Sequence, residues 1–367
     1  MTATVIPFGN PLAQKRWSAS LNVDTAKKSY FTKKFVGEGD NSVIQRKTEL
    51  DSDVGDRVSF DLSVQLRQRP TTGDQRVKGK EENLRFFTDE VIIDQVRHAV
   101  SAGGKMTRKR TVHDLRSVAK DRLSDYWSSY IDELNFIYLS GARGINQDYI
   151  EPTNFAGHAG NAIQAPDAQH VLFGGASTSK LTVTATDKFS TLLVERATVA
   201  ARMMRSLDPA AANMLPVNID GESHYVIVMS PFQEHDLRTS AGAGWLDFQK
   251  ALATADGKAN AIFKGGLGMI NNVVLHSHES VIRFNDYGAG ANLPAARALF
   301  MGRQAGVVAY GNAGGLRFSW KEEMDDYGNE PTVVAGTIIG VKKTRFNNRD
   351  FGVMALDTYA KNPEAAA

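Results

Sequence analysis

The chain has 367 residues, of which 42% are hydrophobic and 23% are charged, and it contains no cysteine. This composition is typical of a globular protein with two or three structural units, and it excludes disulfides and thiolate metal sites. No apolar run reaches the roughly 18 residues that span a bilayer, and the N-terminus lacks signal-peptide features, so we expect no membrane association.

Charge is unevenly distributed along the chain, although the net charge is only +2. Residues 1–120 carry 22 basic and 15 acidic side chains, whereas the remainder carries 21 and 26. This asymmetry permits head-to-tail electrostatic complementarity between copies. The basic front half also permits non-specific contact with nucleic-acid phosphates, because no base-reading motif is present. The alternative is a solvated surface.

The first 55 residues are predicted to form an extended arm. Prolines and glycines such as Pro7, Pro11 and Gly37 interrupt this segment, and no helical or strand period is sustained. A segment without its own core is ordered only when something holds it, and a neighbouring copy can do so. The alternative is a flexible tail.

Strict alternation of apolar and polar residues predicts a strand from Arg57 to Arg67. A second strand is predicted at Leu84–Thr88, after a connection far longer than an ordinary hairpin loop. Because a lone hairpin is only marginally stable, its apolar face must be buried on this subunit's own core or on another copy. The apolar positions of the first strand are Val58, Phe60, Leu62, Val64 and Leu66.

A long helix is predicted next, with apolar residues at three- and four-residue steps from Leu115 to Ile137. Thr111 and Asp114 suit its start, and Gly141 suits its end. About 30 residues would span roughly 40–45 Å. The polar, glycine-rich residues 145–186 predict loops and short strands, or an insertion.

The remaining elements are predicted from shorter patterns. Apolar residues at helical spacing from Leu193 predict a helix that ends at Asp208-Pro209. The continuous apolar run Tyr225–Met229 predicts a buried strand. Ser230, followed by Pro231 and Gln233, predicts a capped helix start. Strands are predicted at 272–284, 307–310, 333–341 and 351–356, and a short helix at 294–301.

Two side-chain clusters are candidates for a metal-binding or catalytic site. His276 and His278 would share one face of a strand, but no third metal ligand is identifiable, so hydrogen-bonded or surface histidines are favoured over a metal site. The second cluster is acidic and can serve as a general acid and base, a cation site or an ion-pair surface. Its members are Glu322, Glu323, Asp325 and Asp326. A charge run of this kind is usually a solvated face or an ion-pair surface, and here it could pair with basic residues of a neighbouring copy, such as Arg76, Lys78 or Lys80. We predict no catalytic residue, cofactor or metal.

Several separate motifs agree in order with one known family. They are Tyr138–Gly144, Arg297–Ala305, Trp320–Asn329, Gly340–Val353 and Leu356–Thr358. Over roughly Arg57 to Thr358, the chain resembles the major capsid proteins of tailed phages, specifically the family of N4-like phages. No chemical logic makes this set of motifs catalytic.

The resemblance implies an α+β fold, the Hong Kong 97-type coat fold. Its parts would be an N-terminal arm (1–55), a long hairpin called the E-loop (56–92), a peripheral domain (93–200) with a spine helix at about 111–140, an axial domain (201–330) and a return to the peripheral domain (331–367). In this family the E-loop extends over the adjacent subunit.

The implied function is structural. Copies would form pentamers and hexamers that close into an icosahedral shell around double-stranded DNA, in the virion, after synthesis and assembly in the host cytoplasm. We expect a separate scaffolding protein, a portal protein and room for a decoration protein, with neither cleavage of the coat chain nor covalent cross-links. The predicted intersubunit contacts are Phe60, Leu62, Val64, Arg76, Lys78, Lys80, Glu322, Glu323, Asp325 and Asp326.

Three other hypotheses remain open from the sequence. The first is a different phage assembly component, such as a tail or sheath protein. The second is a hydrolase with an unrecognised site, which a convergent polar cleft would favour. The third is a monomeric binding module, which leaves the arm and the hairpin without a partner.

Overall fold

The structure is a computed structural model. It describes residues 25, 28–50, 55–63, 66, 68–84, 86–111, 114–207, 212–219, 221–241, 262–311 and 318–364. Its α-helices are α1 (Tyr30–Lys34), α2 (Lys105–Arg110), α3 (Leu115–Ser140), α4 (Thr191–Leu207) and α5 (Pro231–Ala241). None of these helices combines the length and the apolar character required to cross a bilayer.

The strands alternate with these helices along the chain. They are β1 (Val36–Gly37), β2 (Ile44–Lys47), β3 (Arg57–Ser63), β4 (Phe86–Ile92), β5 (Asp94–Ser101), β6 (Val171–Phe173), β7 (Val217–Ile219), β8 (Glu222–Met229), β9 (Gly268–Ile270), β10 (Val273–Ser277), β11 (Arg283–Tyr287), β12 (Leu293–Met301), β13 (Gly306–Tyr310), β14 (Ser319–Asp325), β15 (Glu330–Lys343), β16 (Arg345–Phe346), β17 (Arg349–Asp350) and β18 (Val353–Tyr359).

Two sheets organise the described residues, so the architecture is the expected α+β. The first sheet has the order β1-β2-β13-β15-β14, with β5 also paired to β15. The second has the order β6-β18-β12-β8-β10-β9, with β11 on β12 and β7 on β8. Strands β13 and β14 fall within the predicted axial segment 201–330, yet they lie in the same sheet as β5 and β15.

The predicted long helix is α3, a 26-residue helix of about 39 Å that begins at Leu115 rather than near Thr111. Every residue from Ile131 to Ser140 is buried, because α3 packs in the main core with both sheets. The helix ends at Gly141, whose φ of +68° is left-handed. A Cβ there would lie 2.1 Å from the carbonyl oxygen of Gln164, so only glycine fits.

Strand β8 is buried on both faces, as its continuous apolar run predicts. Val226 and Val228 point into the core that contains α3, whereas Tyr225 and Ile227 point into a second core under α4 and α5. Helix α5 begins with the predicted capping box. The Ser230 hydroxyl accepts from the amide of Phe232, and the Gln233 side chain accepts from the amide of Ser230.

Part of the predicted arm belongs to the subunit's own core, which corrects the expectation that a neighbour holds it. Phe31 and Ile44 are fully buried, and β2 pairs in parallel with β13. The carboxylate of Asp132 on α3 accepts from the Ser29 hydroxyl at 2.8 Å and from the amides of Tyr30 and Phe31. The first 24 residues lie outside the described part of the chain.

The predicted helix at 294–301 is wrong, since these residues form β12, which pairs with β18 and β8. Helix propensity differs by less than about 0.7 kcal/mol between ordinary residues, so burial between two strands overrides it. The strand predicted at 272–284 is two strands, β10 and β11, with residues 278–282 between them.

Three of the sequence motifs that resemble capsid proteins meet at one buried ion pair. Arg297 donates two hydrogen bonds of 2.7 Å to the carboxylate of Asp357. It also donates to the carbonyl oxygen of Ser140, and Tyr287 donates to Asp357 at 2.6 Å. This network joins the end of the spine helix to the second sheet, which gives the motifs a structural role.

Candidate assembly interface

The candidate functional surface is the hairpin of β3 and β4, which projects from the first sheet. The two strands pair in antiparallel register from Arg57 opposite Ile92 to Ser63 opposite Phe86. Only Ile93 separates β4 from β5, which runs along β15 in the first sheet. The predicted hairpin therefore exists, with its second strand placed later than the predicted 84–88.

The apolar face of the hairpin is buried at its base and becomes more exposed outwards. Val58 opposes Val91, and both are buried in a small cluster with Val307 and Ala309. Phe60 is half-buried and packs against that cluster. Leu62, two cross-strand pairs further out and opposite Phe87, is also half-buried. Predicted contact Val64 lies outside the described residues.

Asp89 connects the base of the hairpin to the end of β15. Its carboxylate is bound by the ammonium group of Lys342 and accepts from the backbone amide of Arg345 at 3.1 Å. Lys342 also donates to the carbonyl oxygen of Glu90 at 2.9 Å. Both charged side chains are largely buried, so water weakens this ion pair less than it would a surface pair.

Aromatic packing reinforces the same junction. The Phe60 ring lies edge-on to the Phe346 ring, with centroids 6.0 Å apart, and Phe346 lies edge-on to Phe351 at 5.3 Å. Phe60 and Asp89 face each other across the hairpin. One short segment, residues 342–346, therefore holds neighbouring side chains from both hairpin strands.

A side-chain amide completes the support of the hairpin's base. Asn161 accepts from the backbone amide of Ile92 at 3.0 Å and donates to its carbonyl oxygen at 2.7 Å, as a paired strand residue would. Gly340 lies on the other side of this carbonyl oxygen, which would be 2.2 Å from an added Cβ. The base of the hairpin is thus fixed on its own subunit.

The outer part of the hairpin contrasts with its base. Four apolar side chains are more than half exposed, at 55–62% of their full area: Leu66, Val77, Leu84 and Phe86. The predicted contacts Arg76, Lys78 and Lys80 are exposed in the same loop. A projecting loop that is both apolar and basic is typical of a surface that another molecule covers.

The acidic cluster lies elsewhere, in the hairpin of β14 and β15. Glu323, Asp325 and Asp326 are exposed, and Glu322 is half-buried. The turn of this hairpin precedes Glu330 at the start of β15, whereas Asp89 binds Lys342 near the end of β15. Twelve residues of strand separate the two places by about 40 Å. Within one subunit, the structure does not bring the acidic cluster to the base of the hairpin.

The two candidate histidines are not arranged as a metal site. His276 is buried, and its Nε2 lies 2.8 Å from the carbonyl oxygen of Ile262. Burial, with the nearby charge of Lys34, lowers the pKa of both His276 and His278 to about 4, so both are neutral at pH 7. Across the described residues, no group of three or more acidic or histidine side chains could hold a metal ion.

A polar cleft of about 280 Å³ lies beside α3 and is lined by residues that include Asp132, Glu133 and His278. Two of its carboxylates hold the backbone. Asp132 fixes α1, and Glu133 accepts from the amides of Ile150 and Glu151, each at 2.7 Å. These contacts give Asp132 and Glu133 a structural role.

Comparison with known proteins agrees with this geometry. Residues 5–362 match the family model described as phage capsid protein. The capsid of Ralstonia phage GP4 is 65% identical over 100% of both chains, with a TM-score of 0.89. The capsid of cyanophage Pam1 is 22% identical over 91% of this chain and 93% of that one, with a TM-score of 0.70, which shows the shared fold.

A curated relative agrees as well. The major capsid protein of Pseudomonas phage KPP25 is 26% identical over 90% of each protein. The fold, the projecting hairpin and these matches define a coat protein whose copies associate into a shell. The chain belongs to the phage capsid protein family, and it is the major capsid protein of a phage shell, with the Hong Kong 97-type fold and a place in the virion. The finer N4-like assignment stays a prediction.

The sequence pattern predicts the hairpin, but it does not indicate the residues that fix the base of the hairpin. Asp89 and Lys342 are 253 positions apart, and Asn161 and Ile92 are 69 positions apart. No local pattern joins such pairs. Asn347 and Asn348, both with positive φ, did carry a usable signal, because two such residues favour the tight turn that joins β16 to β17.

Proposed function

We propose that copies of this chain form pentamers and hexamers that close into an icosahedral shell around the double-stranded DNA of a tailed phage. In this shell the outer part of the hairpin lies over the neighbouring copy. A separate scaffolding protein guides assembly in the host cytoplasm, and a portal protein occupies one vertex. The function is structural and involves no catalysis.

One observation supports this proposal most strongly: the hairpin is fixed at its base and apolar at its exposed outer end. Full burial of an apolar side chain contributes about 1.5–3 kcal/mol, and the four apolar side chains of the outer part are 55–62% exposed, so covering them gives more than half of that each. The basic residues of the same loop can pair with acidic groups on the covered copy. Specific assembly then arises from many modest interfaces repeated around the shell.

The experiment is electron microscopy of the expressed protein, alone and with its scaffolding protein, for the wild type and for Leu84→Asp. The wild type should form closed shells or curved sheets of capsomers. Leu84→Asp should remain folded but form few shells, because the aspartate would be buried between copies without a partner.

Thr72→Asp is the matched control, since it adds the same charge to the same exposed loop without removing an apolar side chain. It should assemble as the wild type does. Normal shells from Leu84→Asp would show that a neighbouring copy does not cover this part of the hairpin.

A further inference from the structure

A second exposed region lies at the opposite end of β15 from the hairpin's base. It consists of α2 (Lys105–Arg110) together with the turn between β14 and β15 (residues 322–330), and we call it the tongue. Helix α2 contributes four cations and no acid: Lys105, Arg108, Lys109 and Arg110. The adjacent turn contributes the acidic cluster that the sequence analysis singled out.

The two charged parts are held side by side through uncharged groups of Asn329. The amide of Lys105 donates to the Asn329 side chain at 3.1 Å, and Arg108 donates to its carbonyl oxygen at 3.3 Å. The Ser101 hydroxyl donates to the carboxylate of Glu330. The side chains of Lys105 and Lys109 are exposed, as are those of Glu323 and Asp325. Strand β5, which precedes α2, pairs with the edge of β15 opposite to β14.

Apolar side chains of the tongue remain exposed beside these charges. Tyr327 is fully exposed, at 106% of its reference area, and Met106 and Met324 are 59% and 43% exposed. Tyr327 has a φ of +52°, between Asp326 at +50° and Gly328 at +81°, a conformation that non-glycine residues rarely adopt. An aromatic side chain presented in this way is typical of an interface anchor.

We propose that the tongue is a head-to-tail contact between copies, in which α2 of one copy lies against the acidic turn of the next and Tyr327 becomes covered. This inference rests on the proposed shell assembly and adds a contact distinct from the hairpin. Heterologous contacts of this kind join two different patches of the same molecule and form a ring when the rotation between copies closes.

The charges identify the partner as a second copy. DNA would be repelled by the acidic turn, and a uniformly acidic or basic protein would be repelled by one half of the tongue. A second copy supplies both signs in the complementary order. The sequence pattern also allows the acidic cluster to pair with Arg76, Lys78 or Lys80 of the hairpin, so the experiment must separate these two basic surfaces.

The test is charge reversal with rescue. Glu323→Lys with Asp325→Lys should reduce the yield of shells at least about tenfold, because like charges placed opposite each other cost several kcal/mol. Adding Lys105→Glu and Lys109→Glu to the same chain should restore the yield. Adding Lys78→Glu and Lys80→Glu instead should not restore it.

Rescue by the hairpin reversal rather than the α2 reversal would assign the acidic cluster to the hairpin and overturn this proposal. So would normal assembly of the acidic reversal alone. Failure of the wild type to form shells would instead contradict the proposed function. Thermal unfolding of unassembled subunits should be unchanged by these exposed substitutions, and a Tyr327→Cys variant should be protected from maleimide labelling in shells.

Discussion

The ammonium group of Lys342 binds the carboxylate of Asp89 at the base of the projecting hairpin, and the two residues are 253 positions apart in the chain. This contact lies at the boundary between the base of the hairpin, which packs on its own subunit, and the exposed outer part. The backbone amide of Arg345 donates to the same carboxylate, so Asp89 links the hairpin to the end of β15 at two points.

Asp89→Asn should loosen the hairpin without unfolding the subunit. A hydrogen bond to a charged group contributes about 1.5–3 kcal/mol, so we expect a loss of that size in the free energy of unfolding. Hydrogen exchange should accelerate in residues 86–92. Thr88→Asn, an exposed neighbour on the same strand, serves as the control, and equal exchange in both variants would contradict the role of Asp89.

Phe60→Asp and Leu62→Asp should behave differently, although the sequence analysis treats both residues as intersubunit contacts. Phe60 packs on its own subunit's cluster and on Phe346, so the aspartate should destabilise the subunit and cause aggregation on expression. Leu62→Asp should yield folded subunits that assemble poorly. Soluble, folded Phe60→Asp subunits would show that the contact with Phe346 contributes little.

Removing one partner of the buried pair of Arg297 and Asp357 should be strongly destabilising. Both side chains are almost inaccessible to water, so Arg297→Met leaves an uncompensated carboxylate and should cost about 3–5 kcal/mol in denaturant unfolding. Arg297→Met combined with Asp357→Leu should recover part of this loss. A double variant that is less stable than the single one would show that the uncompensated carboxylate of Asp357 is not the cause of the loss.

Asp132 should give the subunit a distinctive pH dependence. Burial raises the pKa of Asp132 from 3.8 to about 6, although the hydrogen bonds that it accepts act in the opposite direction. The folded state therefore binds this proton more tightly than the unfolded state. Its contribution to stability is complete below pH 4 and is lost as the pH rises to about 6.

Asp132→Asn removes this titration. The difference in unfolding free energy between the wild type and the variant should therefore change between pH 4 and pH 6, and should be constant above pH 7. Comparing the two proteins cancels the opposite contributions of other groups, such as His276. A difference that stays constant over the whole range would contradict the raised pKa.

The parts of the fold that were predicted correctly are those encoded locally. Apolar spacing predicts α3 and α4, and the residue order from Ser230 to Gln233 predicts the start of α5. The helix predicted at 294–301 fails because pairing with β8 and β18, remote in sequence, decides its conformation.

The hairpin was predicted for the same local reason, but its division into a fixed base and a free outer part was not. That division depends on residues 342–346 reaching back to β4 and on Asn161 pairing with Ile92. The position of α2 beside the acidic turn likewise depends on Asn329, more than 200 positions away from Lys105. Long-range contacts of this kind leave no periodic signal in the sequence.

The most direct test of the central claim uses the absence of cysteine from the chain. A Leu84→Cys variant provides a single thiol in the exposed outer part of the hairpin, and maleimide labelling is measured in dissociated subunits, in shells and in denatured shells. We expect rapid labelling of subunits and denatured shells, and protection in intact shells. Equally rapid labelling of intact shells would contradict the claim that a neighbouring copy covers the hairpin.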